Sequence, residues 1–351
     1  MGQITFIIGN GIGMALDDKY FTLNKGLNVA WKEIKSRNIK TIIYRSLKSR
    51  KKPVTENDLR QVQDYFFKLK AIENLASTLP VKIRKHFGMI SKFKDSYFSY
   101  LYDVSRYFFN YEPKDGSENY QRYKRFIQNF ATCIVNSEPI VNVVTLNYDA
   151  LLIRELYRCD DHKLFDGYSG YLVDGFLDSG FKKENMERYH GKNFGWYIHL
   201  HGSPLFYTDD RGVIRKRTVS TDRLQRSMFN PAGDYKSGDN HLILCDPTQK
   251  LERIQHSELL SSYFECFKEA IIASDVIVLI GYRGEDCHVN DLIKERNGVC
   301  KLVVEWQGTN YAESDRMFFW NAVLGDGVEV RLLDSIFNFD FNSIVNKKPP
   351  T

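Results

Sequence analysis

Four short segments carry the residues best suited to chemistry, and each one follows a strand-like apolar run. They are Gly9-Asn10-Gly11, Thr145-Leu146-Asn147-Tyr148-Asp149, His199-Leu200-His201-Gly202 and Gly281-Tyr282-Arg283-Gly284. Together they offer backbone amides, a side-chain amide, a carboxylate, imidazoles and a guanidinium. The carboxyl ends of parallel strands meet in one crevice, so residues distant in sequence can surround a single ligand. The sequence therefore predicts one shared binding site.

The glycine segment after the first strand is typical of a phosphate-binding turn. Gly9 and Gly11 allow backbone conformations closed to other residues, so the amides of Gly9, Asn10 and Gly11 can approach a phosphate at a helix N-terminus. The dinucleotide pattern Gly-x-Gly-x-x-Gly is incomplete, because Met14 stands where the last small residue belongs. A plain strand-to-helix turn is the alternative.

The polar side chains of the second and third segments have two interpretations each. Asn147 and Asp149 suit a ligand at the end of a strand, but either one can also cap the following helix. His199 and His201 are two residues apart, so on a strand they share one face, as metal ligands do. No acidic residue or cysteine at close spacing completes a metal set. We therefore expect no metal here and a structural role for His199.

The elements that must position these segments alternate between strands and helices. Short apolar runs rich in β-branched residues predict buried strands. These runs are 4–8, 140–146, 196–200, 242–244, 276–280, 302–304 and 328–332, with helices predicted at 150–157 and 256–273. Residues 203–240 lack a sustained period and predict a loop or small ribbon. Because parallel neighbours require crossovers, the expected fold is α/β, with a Rossmann-like parallel sheet.

Residues 31–136 have a different sequence pattern from the rest of the chain. They consist of long amphipathic segments, and Pro53, Pro80 and Pro113 mark helix ends within them. We predict a large helical insertion at 31–136, inside a Rossmann-like domain formed by 1–30 and 137–351. The aromatic residues between 97 and 109 are expected to form core or a subunit interface.

The composition fits a folded protein and argues against several classes. The 351 residues, 43% of them hydrophobic, are ample for a large core. No apolar run approaches the roughly 20 residues of a membrane helix, and no basic signal region follows Met1, so we expect a cytoplasmic protein. The net charge of +5 is small, and direct nucleic-acid binding is not expected. Six scattered cysteines, among them Cys159 and Cys245, lack the Cys-x-x-Cys spacing of a zinc ribbon and suggest no disulfide framework.

The four segments, in this order, resemble those of the sirtuin-like family, specifically bacterial sirtuin-like NAD-consuming domains associated with defence against phage. In that family a glycine turn after the first strand, a Thr-x-Asn-Tyr-Asp-type segment, a Leu-His-Gly segment and a late Ile-Gly-Tyr segment surround NAD. The resemblance covers residues 1–22 and 140–306. The matching residues are 9–12, 145–149, 200–202 and 280–284, supported by Asp246-Pro247-Thr248 with Lys250 and by Ala273-Ser274-Asp275.

Three departures separate this chain from the protein deacylases of the superfamily. Deacylases carry a four-cysteine zinc module after their His-Gly segment, whereas residues 203–240 contain no cysteine, so neither zinc nor deacylation is expected. The first motif reads Gly-Asn-Gly where deacylases have Gly-Ala-Gly, and the insertion is longer than a deacylase needs. The opening is also similar to that of abortive-infection AbiH-type proteins, so the first motif alone does not choose between the families.

The resemblance implies a role for each matched residue in cleaving NAD. His201 would be the general base, because an imidazole can accept a proton from water or a ribose hydroxyl at neutral pH. Asn147 would orient the water and a ribose hydroxyl through an amide that both donates and accepts. Thr145 and Asp149 lie in the same segment, and Asp149 would fix local geometry or bind the ribose.

The remaining matched residues would hold the rest of the dinucleotide. The backbone amides of Gly9, Asn10 and Gly11 would bind the pyrophosphate. Gly281, Tyr282 and Arg283 would line its other side or the adenosine ribose, with a surface charge as the alternative for Arg283. Asp286 and Glu305 could reach adenosine hydroxyls, although helix capping and solvation are simpler accounts.

The resulting expectation is a cytoplasmic NAD glycohydrolase, with NAD as its substrate, that depletes NAD as a latent effector of abortive infection. The resemblance suggests a homo-oligomer, with a HerA-type ATPase or a short Argonaute as a candidate partner. Two other functions stay open. One is a nucleotide-sensing module that binds NAD or ADP-ribose without turnover, and the other is an ADP-ribosyltransferase.

Overall fold

The structure is a computed structural model. It describes residues 2–49, 51–77, 88–114, 116–158, 163–168, 172, 180–188, 194–209, 211–218, 241–244, 250–255, 257–309 and 311–345. Pro80, Cys159, residues 219–240, Cys245 and the segment Asp246-Pro247-Thr248, all used in the sequence analysis, lie outside the described residues.

The centre of the fold is a parallel sheet with the strand order β3-β4-β2-β1-β7-β8-β9. Two further strands, β5 and β6, form an antiparallel ribbon. The strands are β1 Gln3–Ile8, β2 Ile140–Thr145, β3 Leu164–Phe165, β4 Gly195–His199, β5 Phe206–Thr208, β6 Ile214–Lys216, β7 Val276–Ile280, β8 Cys300–Trp306 and β9 Val328–Leu333. The predicted α/β fold with a Rossmann-like parallel sheet is confirmed.

The four central strands end at the same level. Ile8 at the end of β1 pairs with Thr145 of β2 and with Ile280 of β7, and Thr145 pairs with His199 of β4. The chain leaves β1 outward through β2 and β4, then crosses to β7 on the other side of β1. The strand order therefore reverses between β1 and β7, and such switch points are where open α/β sheets bind ligands.

Helices connect these strands and cover the sheet. They are α1 Gly11–Leu16, α2 Leu23–Glu33, α3 Arg37–Ser46, α4 Glu56–Ser77, α5 Gly88–Phe109, α6 Glu118–Asn136, α7 Leu151–Leu156, α8 Lys250–Gln255, α9 Glu258–Ala273, α10 Cys287–Lys294, α11 Glu313–Leu324 and α12 Asn342–Val345. The sheet strands are buried at most positions, which is why they read as continuous apolar runs.

The last helix of the predicted insertion packs directly on the sheet. Phe130 of α6 contacts Phe6 of β1 with ring centroids 5.0 Å apart, and it contacts Phe341 near the C-terminus at 4.9 Å. The earlier helices α2 and α5 pack against each other, with Trp31 and Tyr100 in edge contact at 6.2 Å. Helix α6 therefore acts as the crossover from β1 to β2, while the division at 31–136 stays a prediction.

Two local expectations differ from the structure. The run 242–244 was expected to be a strand, but it makes only an antiparallel bridge between Leu242 and Gly202. The Gly202 bend turns the chain at the end of β4, so this run lies across the site instead of joining the sheet. Strand β3 was not predicted, because two residues give no period to recognise. The ribbon of β5 and β6 falls inside the stretch 203–240, where a loop or small ribbon was expected.

Two further properties concern the described residues alone. Among them, no helix combines the length and the apolar character needed to cross a membrane. The cysteines at 133 and 266 are free thiols, and Cys133 is buried.

The packing of α6 predicts a large effect of Phe130→Ala. Removing a buried aromatic ring leaves a cavity between β1 and the C-terminal segment, and we expect the free energy of unfolding to fall by about 3–5 kcal/mol. Urea denaturation followed by circular dichroism measures it. Thr132→Ala, at an exposed position of the same helix, is the control and should change stability by less than about 1 kcal/mol. Equal effects of the two variants would contradict the assignment of α6 to the sheet core.

Candidate active site at the carboxyl ends of the central strands

The turns after β1 and β7 are in direct backbone contact. The Gly9 amide donates to the Ile280 carbonyl and the Gly11 amide donates to the Gly281 carbonyl, both at 2.9 Å. A Cβ atom on Gly11 would lie 2.4 Å from the Gly281 Cα, and Gly281 itself has φ +62°. Glycine is required here because one turn packs against the other. From sequence, these glycines were explained by phosphate binding, and this contact was not foreseen.

This contact uses two of the three amides expected to hold a pyrophosphate. Gly9 and Gly11 donate to β7, and the Asn10 amide is the one of the three without a partner among the described residues. The Asn10 side chain donates to the Phe21 carbonyl at 3.0 Å and so braces the turn after α1. An anion at this turn would therefore meet one unpaired amide in this conformation.

Asn147 joins the end of β2 to the end of β1. Its side-chain nitrogen donates to the Gly9 carbonyl at 3.1 Å, and its backbone amide donates to the Thr145 hydroxyl at 3.2 Å. The side chain belongs to a residue only 8% exposed. It does not cap helix α7; instead the Asp149 carboxylate accepts from the Leu151 amide at 3.0 Å. The N-cap residue of α7 is Ala150, so Asp149 supports the first turn from the position before the cap.

Burial makes Asp149 an unusual carboxyl group. Desolvation raises its pKa to about 6, against the lowering effects of the Leu151 amide, its own backbone amide and the Arg154 charge. No described contact joins Asp149 to His201. Its described interactions are the bond from the Leu151 amide and the nearby Arg154 charge.

His201 brings the end of β4 to the same place. Its Nε2 lies 3.1 Å from the Nε2 of His288, and the backbone of Leu146, the residue before Asn147, lies close enough to raise the pKa of His201 slightly. The residue is 2% exposed. Burial is the main reason that the pKa of His201 falls well below its usual range, and the nearby Lys250 charge lowers it further. His201 is therefore neutral at physiological pH.

His288 and Asp286 come from the start of α10 and complete the group around His201. Burial lowers the pKa of His288 to about 4, although the Asp286 charge opposes this effect. Lys250 donates to Asp286 Oδ1 at 2.6 Å. Burial raises the pKa of Asp286, but its interactions with the His201 ring and with the Lys250 ammonium outweigh that effect and leave the pKa below its usual value. The cluster thus contains two neutral imidazoles beside a buried ion pair.

The same cluster has the donor types of a metal site. The ligand atoms of His201, Asp286 and His288 all lie within 4.8 Å of one another. A divalent cation there would face the Lys250 ammonium, which already balances the Asp286 charge at 2.6 Å. The electrostatics therefore favour a proton-handling cluster over a cation site.

The two side chains of the late Ile-Gly-Tyr segment differ in burial: Tyr282 is buried and Arg283 is exposed. The Tyr282 hydroxyl accepts from the Asp286 amide at 3.0 Å and donates to Asn290 Oδ1 at 2.8 Å, so it shapes the turn that carries Asp286. The Arg283 side chain is 84% exposed and pairs with Glu285. Arg283 lies away from the cluster in this conformation, as the surface-charge alternative expects.

Other residues singled out in the sequence serve the scaffold. Glu305 accepts two bonds from the Arg316 guanidinium, at 2.7 and 2.6 Å. Ser274 and Asp275 lie at the amino end of β7, where Ser274 bonds the Thr5 hydroxyl and Asp275 accepts from the Gln3 amide. That end of the sheet is opposite to the cluster.

His199 occupies a dry position on β4. Its ring packs edge-on against Tyr197 and Phe206, at 5.2 and 5.4 Å between ring centroids, and neither nitrogen has a hydrogen-bond partner among the described residues. Burial, with a smaller effect of the Lys216 charge, lowers the pKa of His199 to about 3. A packing role fits these surroundings, in agreement with the structural assignment of His199.

His288 is the residue that sequence reasoning missed. It lies 87 positions from His201, and a single histidine at the start of a short helix has no local pattern that distinguishes it. The usable signal was Asp286-x-His288 directly after a glycine turn that already belonged to the site. Two polar side chains at that spacing follow the carboxyl end of a buried strand, as Asn147 and His201 do.

Two cavities border the insertion at some distance along the chain from these residues. One of about 480 Å³ lies between α2 and α5 and is lined by acidic and tyrosine side chains such as Asp17, Glu33 and Tyr107. A neighbouring cavity of about 350 Å³ shares Asp17, Tyr111 and Lys114 with it. Neither cavity is lined by Asn147, His201 or His288, so the candidate site and these two cavities are separate features.

Comparisons with protein-family models and with curated proteins returned no match for this chain. Any function assigned to the cluster therefore depends on its own geometry and on the motif resemblance.

The surroundings of His199 predict a pH-dependent stability difference. The native pKa is about 3 and the unfolded value is near 6.5, so below pH 6.5 the unfolded chain binds a proton that the native chain does not. Stability linked to His199 is present above pH 6.5 and is lost as the pH falls toward 3. His199→Phe removes this loss, so between pH 5 and 6 the slope of unfolding free energy against pH should fall by about 1.0–1.4 kcal/mol per pH unit, whereas near pH 8 it should not change. Urea unfolding between pH 5 and 8 measures the slope; an unchanged slope would contradict a neutral, unpartnered His199.

Proposed function

We propose that this protein is an NAD glycohydrolase, which hydrolyses NAD to nicotinamide and ADP-ribose. The observation that carries the proposal is the linkage of Asn147 and His201 at one point of the sheet. Asn147 donates to the Gly9 carbonyl, and the backbone of Leu146 contributes to the pKa of His201. Thr145 pairs with His199, so a side-chain amide and an imidazole each follow by two residues the end of a neighbouring strand. The motif resemblance implies these two groups for NAD cleavage.

The reaction makes few demands on the protein. The bond between the ribose C1′ and the nicotinamide nitrogen breaks, and neutral nicotinamide leaves with the electron pair. A water molecule attacks the oxocarbenium-like C1′ and gives a proton to a base, which yields ADP-ribose. The leaving group needs no acid, so orientation of the ribose and of the water is the main task of the site.

Asn147 has the chemistry to orient the ribose. Its side-chain nitrogen is used by the Gly9 carbonyl, so the side-chain oxygen is the atom that would accept from a ribose hydroxyl or water. His201 supplies a neutral imidazole that can take up a proton, and such bases typically contribute about 10²–10⁴-fold to a rate. The Asp286 carboxylate would stabilise the cation that forms.

Burial limits access to both groups. Asn147 is 8% exposed and His201 is 2% exposed, so NAD reaches them only after neighbouring segments move. One neighbour is the segment 241–244, which the Tyr148 hydroxyl holds through the Ile243 carbonyl and which pairs with Gly202. A closed apo site is what a latent enzyme requires, because unregulated NAD hydrolysis would poison its own cell.

A second function is favoured by the low basicity of the cluster. His201 and His288 both have pKa values below the ordinary range, which weakens them as bases. A module that binds NAD or ADP-ribose without turnover needs no base and could use the same groups for recognition. An ADP-ribosyltransferase would need an acceptor group in place of water.

The biological setting follows from the motif resemblance. We propose a cytoplasmic effector of anti-phage abortive infection that acts as a homo-oligomer, with a HerA-type ATPase or a short Argonaute as a candidate activating partner. The segment from the end of β8 into α11 supports self-association. It exposes Trp306, Tyr311 and Phe318 by 57%, 58% and 79%, and large exposed aromatic residues mark interaction surfaces.

The hydrolase proposal predicts loss of turnover in Asn147→Ala and in His201→Ala. Each should lower kcat by about 10²-fold or more, because each removes a group that acts on the ribose or the water. The measurement is release of nicotinamide and ADP-ribose from NAD, followed by chromatography. It is made on the isolated protein and after addition of HerA-type ATPase and Argonaute candidates.

Matched controls separate chemistry from folding. His199→Phe changes a histidine two positions away in a dry site, and Asn297→Ala changes an asparagine in an exposed turn, so both should retain turnover. NAD binding without products in every condition would favour the binding module. Labelled ADP-ribose attached to a macromolecule would favour the transferase, and either result would contradict hydrolysis.

The exposed aromatic segment predicts an assembly defect in Phe318→Ser. Replacing a side chain that is 79% exposed should leave the folded chain stable but weaken self-association by about tenfold or more in dissociation constant. Sedimentation velocity over a concentration series reports the oligomer population. The control is Tyr44→Ser, which alters an exposed aromatic residue on α3. Met14→Ser would not serve as a control, because Met14 packs on the core. An oligomer unaffected by Phe318→Ser would remove this segment from the interface.

A further inference from the structure

The larger of the two cavities, between α2 and α5, has a lining that the candidate active site does not explain. Its volume of about 480 Å³ is in the range of small-molecule sites. Four carboxylates and two positive side chains line it, which leaves a formal excess of two negative charges in a chain whose net charge is +5. A cation is therefore favoured here over an anion. The charged lining residues are Asp17, Glu33, Asp103, Glu112, Arg106 and Lys114.

Two of the four carboxylates interact with arginine side chains. Arg106 donates to Asp103 Oδ1 from Nε at 3.3 Å and from Nη2 at 3.2 Å. The Glu112 charge acts on Arg154, which lies outside the lining. A ligand at either carboxylate would compete with an arginine, whereas Asp17 forms no ion pair among the described residues. Asp17 is therefore the best anchor for a positive group.

The C-terminal ends of three helices also reach this cavity. Asp17 is the C-cap residue of α1, Glu33 is the last residue of α2, and Tyr107 lies in the last turn of α5. None of the described lining residues belongs to the first turn of these helices. The carbonyl end of a helix carries a partial negative charge and stabilises cations. The backbone thus favours the same sign of ligand as the carboxylates, through a separate effect.

Three tyrosine rings form part of the cavity wall. Tyr20 stacks on Tyr107 with ring centroids 4.2 Å apart, and the Tyr111 ring lies 4.7 Å from Tyr20. The Tyr20 hydroxyl donates to the Tyr107 carbonyl at 2.6 Å, and the Tyr107 hydroxyl donates to the Tyr20 carbonyl at 3.4 Å. Because both protons are used within the protein, these hydroxyls can only accept from a ligand. The faces of aromatic rings also attract cations.

Asp17 lies beside these rings. Its Oδ1 accepts from the Tyr20 amide at 2.9 Å. Burial, with a further effect of the Asp17 charge, raises the pKa values of Tyr107 and Tyr111 to about 12, so both tyrosines are neutral at physiological pH. The cavity thus presents acceptor oxygens next to a carboxylate. An ammonium group has three donors and no acceptor, which matches this lining.

The spacing of the carboxylates argues for an organic cation and against a metal ion. Among the described residues, His201, Asp286 and His288 form the one group of three or more His, Cys, Asp and Glu side chains whose ligand atoms are close enough to share an ion. No three carboxylates of the cavity therefore converge on one point. Separate acceptors suit a ligand that carries several ammonium groups.

The site is also long. The lining residues of α5 and of the turn after it run from Asp103 to Asn110, which at about 1.5 Å per residue is a length of about 10 Å. The smaller cavity, of about 350 Å³, shares Asp17, Tyr111 and Lys114 with the larger one, so the two adjoin. A linear ligand fits this shape better than a compact one.

We propose that this cavity binds a linear organic polyamine, with one ammonium group at Asp17 and the methylene chain along the tyrosine rings. A second ammonium group lies toward Glu33 at the end of α2. The proposal does not depend on NAD hydrolysis, because none of Asn147, His201 and His288 lines the cavity. Binding and turnover can therefore fail separately.

Isothermal titration calorimetry of the full chain with spermidine measures this binding, in about 0.15 M salt so that diffuse attraction is screened. We expect one saturable site with a dissociation constant below about 1 mM. Triethylene glycol, a neutral chain of similar length, should not bind, and butylamine, with a single ammonium group, should bind about tenfold more weakly or worse. The proposal is overturned if spermidine shows no saturable binding, or if either comparison compound binds as tightly as spermidine.

Matched variants locate the site. Asp17→Asn and Glu33→Gln each remove one charge and keep the shape of the side chain, so each should weaken spermidine binding by about tenfold. Asp18→Asn is the control, because it removes the same charge at an exposed neighbouring position outside the lining. Circular dichroism checks that the variants fold. Unchanged affinity in both Asp17→Asn and Glu33→Gln, or an equal loss in Asp18→Asn, would contradict binding in this cavity.

A measurement on the unmodified sequence keeps the test independent of variant stability. Nuclear magnetic resonance of the full chain labelled with ¹³C-tyrosine should show that spermidine shifts the ring signals of Tyr20, Tyr107 and Tyr111. The signal of Tyr311, which does not line the cavity, should stay in place. Shifts confined to tyrosines outside the lining would place the polyamine elsewhere and overturn the proposal.

Discussion

The close contact between the turns after β1 and β7 is the constraint on which the rest of the site depends. Gly11 and Gly281 touch through their backbones, and no side chain larger than hydrogen fits between them. Two backbone bonds fix the spacing of the turns, and one of them uses the Gly9 amide. The Gly9 carbonyl is then positioned to accept from Asn147. A single glycine contact therefore sets the relative position of β1, β2 and β7 at their carboxyl ends.

Around that contact the protein keeps polar groups in a dry environment. Two imidazoles stay neutral because burial penalises their charged forms, and an ion pair of Lys250 with Asp286 lies beside them. Breaking such a pair leaves one charge buried and unpaired, which is costly. Lys250 and Asp286 therefore fix the start of α10 as well as the local electrostatic potential. The same burial that lowers basicity would strengthen every electrostatic interaction once a substrate excludes water.

The sequence was sufficient to predict the sheet and, within the cluster, His201. The buried strands were recognisable from continuous β-branched runs such as 276–280, and the motifs at their ends pointed to a common site. Asn147 and His201 follow the ends of the neighbouring strands β2 and β4, and Asp149 accepts from the Leu151 amide at the start of α7. The glycines were recognised, but sequence alone could not show that each contacts another glycine. Nor could it show that the Gly9 and Gly11 amides donate hydrogen bonds to Ile280 and Gly281.

What sequence could not predict depends on long-range packing. His288 lies on a helix far along the chain, and only the sheet order brings its ring to His201. The run 242–244 has the composition of a strand, but the bend at Gly202 diverts it into a single bridge. Arg283 looked like a ligand-binding side chain within its motif, yet its guanidinium pairs with Glu285 in solvent. In each case a tertiary contact decides the role of a residue whose local pattern is ambiguous.

The most direct measurement is a structure of the protein bound to carba-NAD, in which a methylene group replaces the ring oxygen of the nicotinamide ribose, so that no oxocarbenium ion can form and the bond to nicotinamide is not hydrolysed. The account predicts that the nicotinamide ribose lies between the Asn147 side chain and the two imidazoles, with C1′ within about 4 Å of Asn147 and a water molecule on its open face. A dinucleotide bound instead in the cavity between α2 and α5, with Asn147 and His201 still closed off, would contradict it.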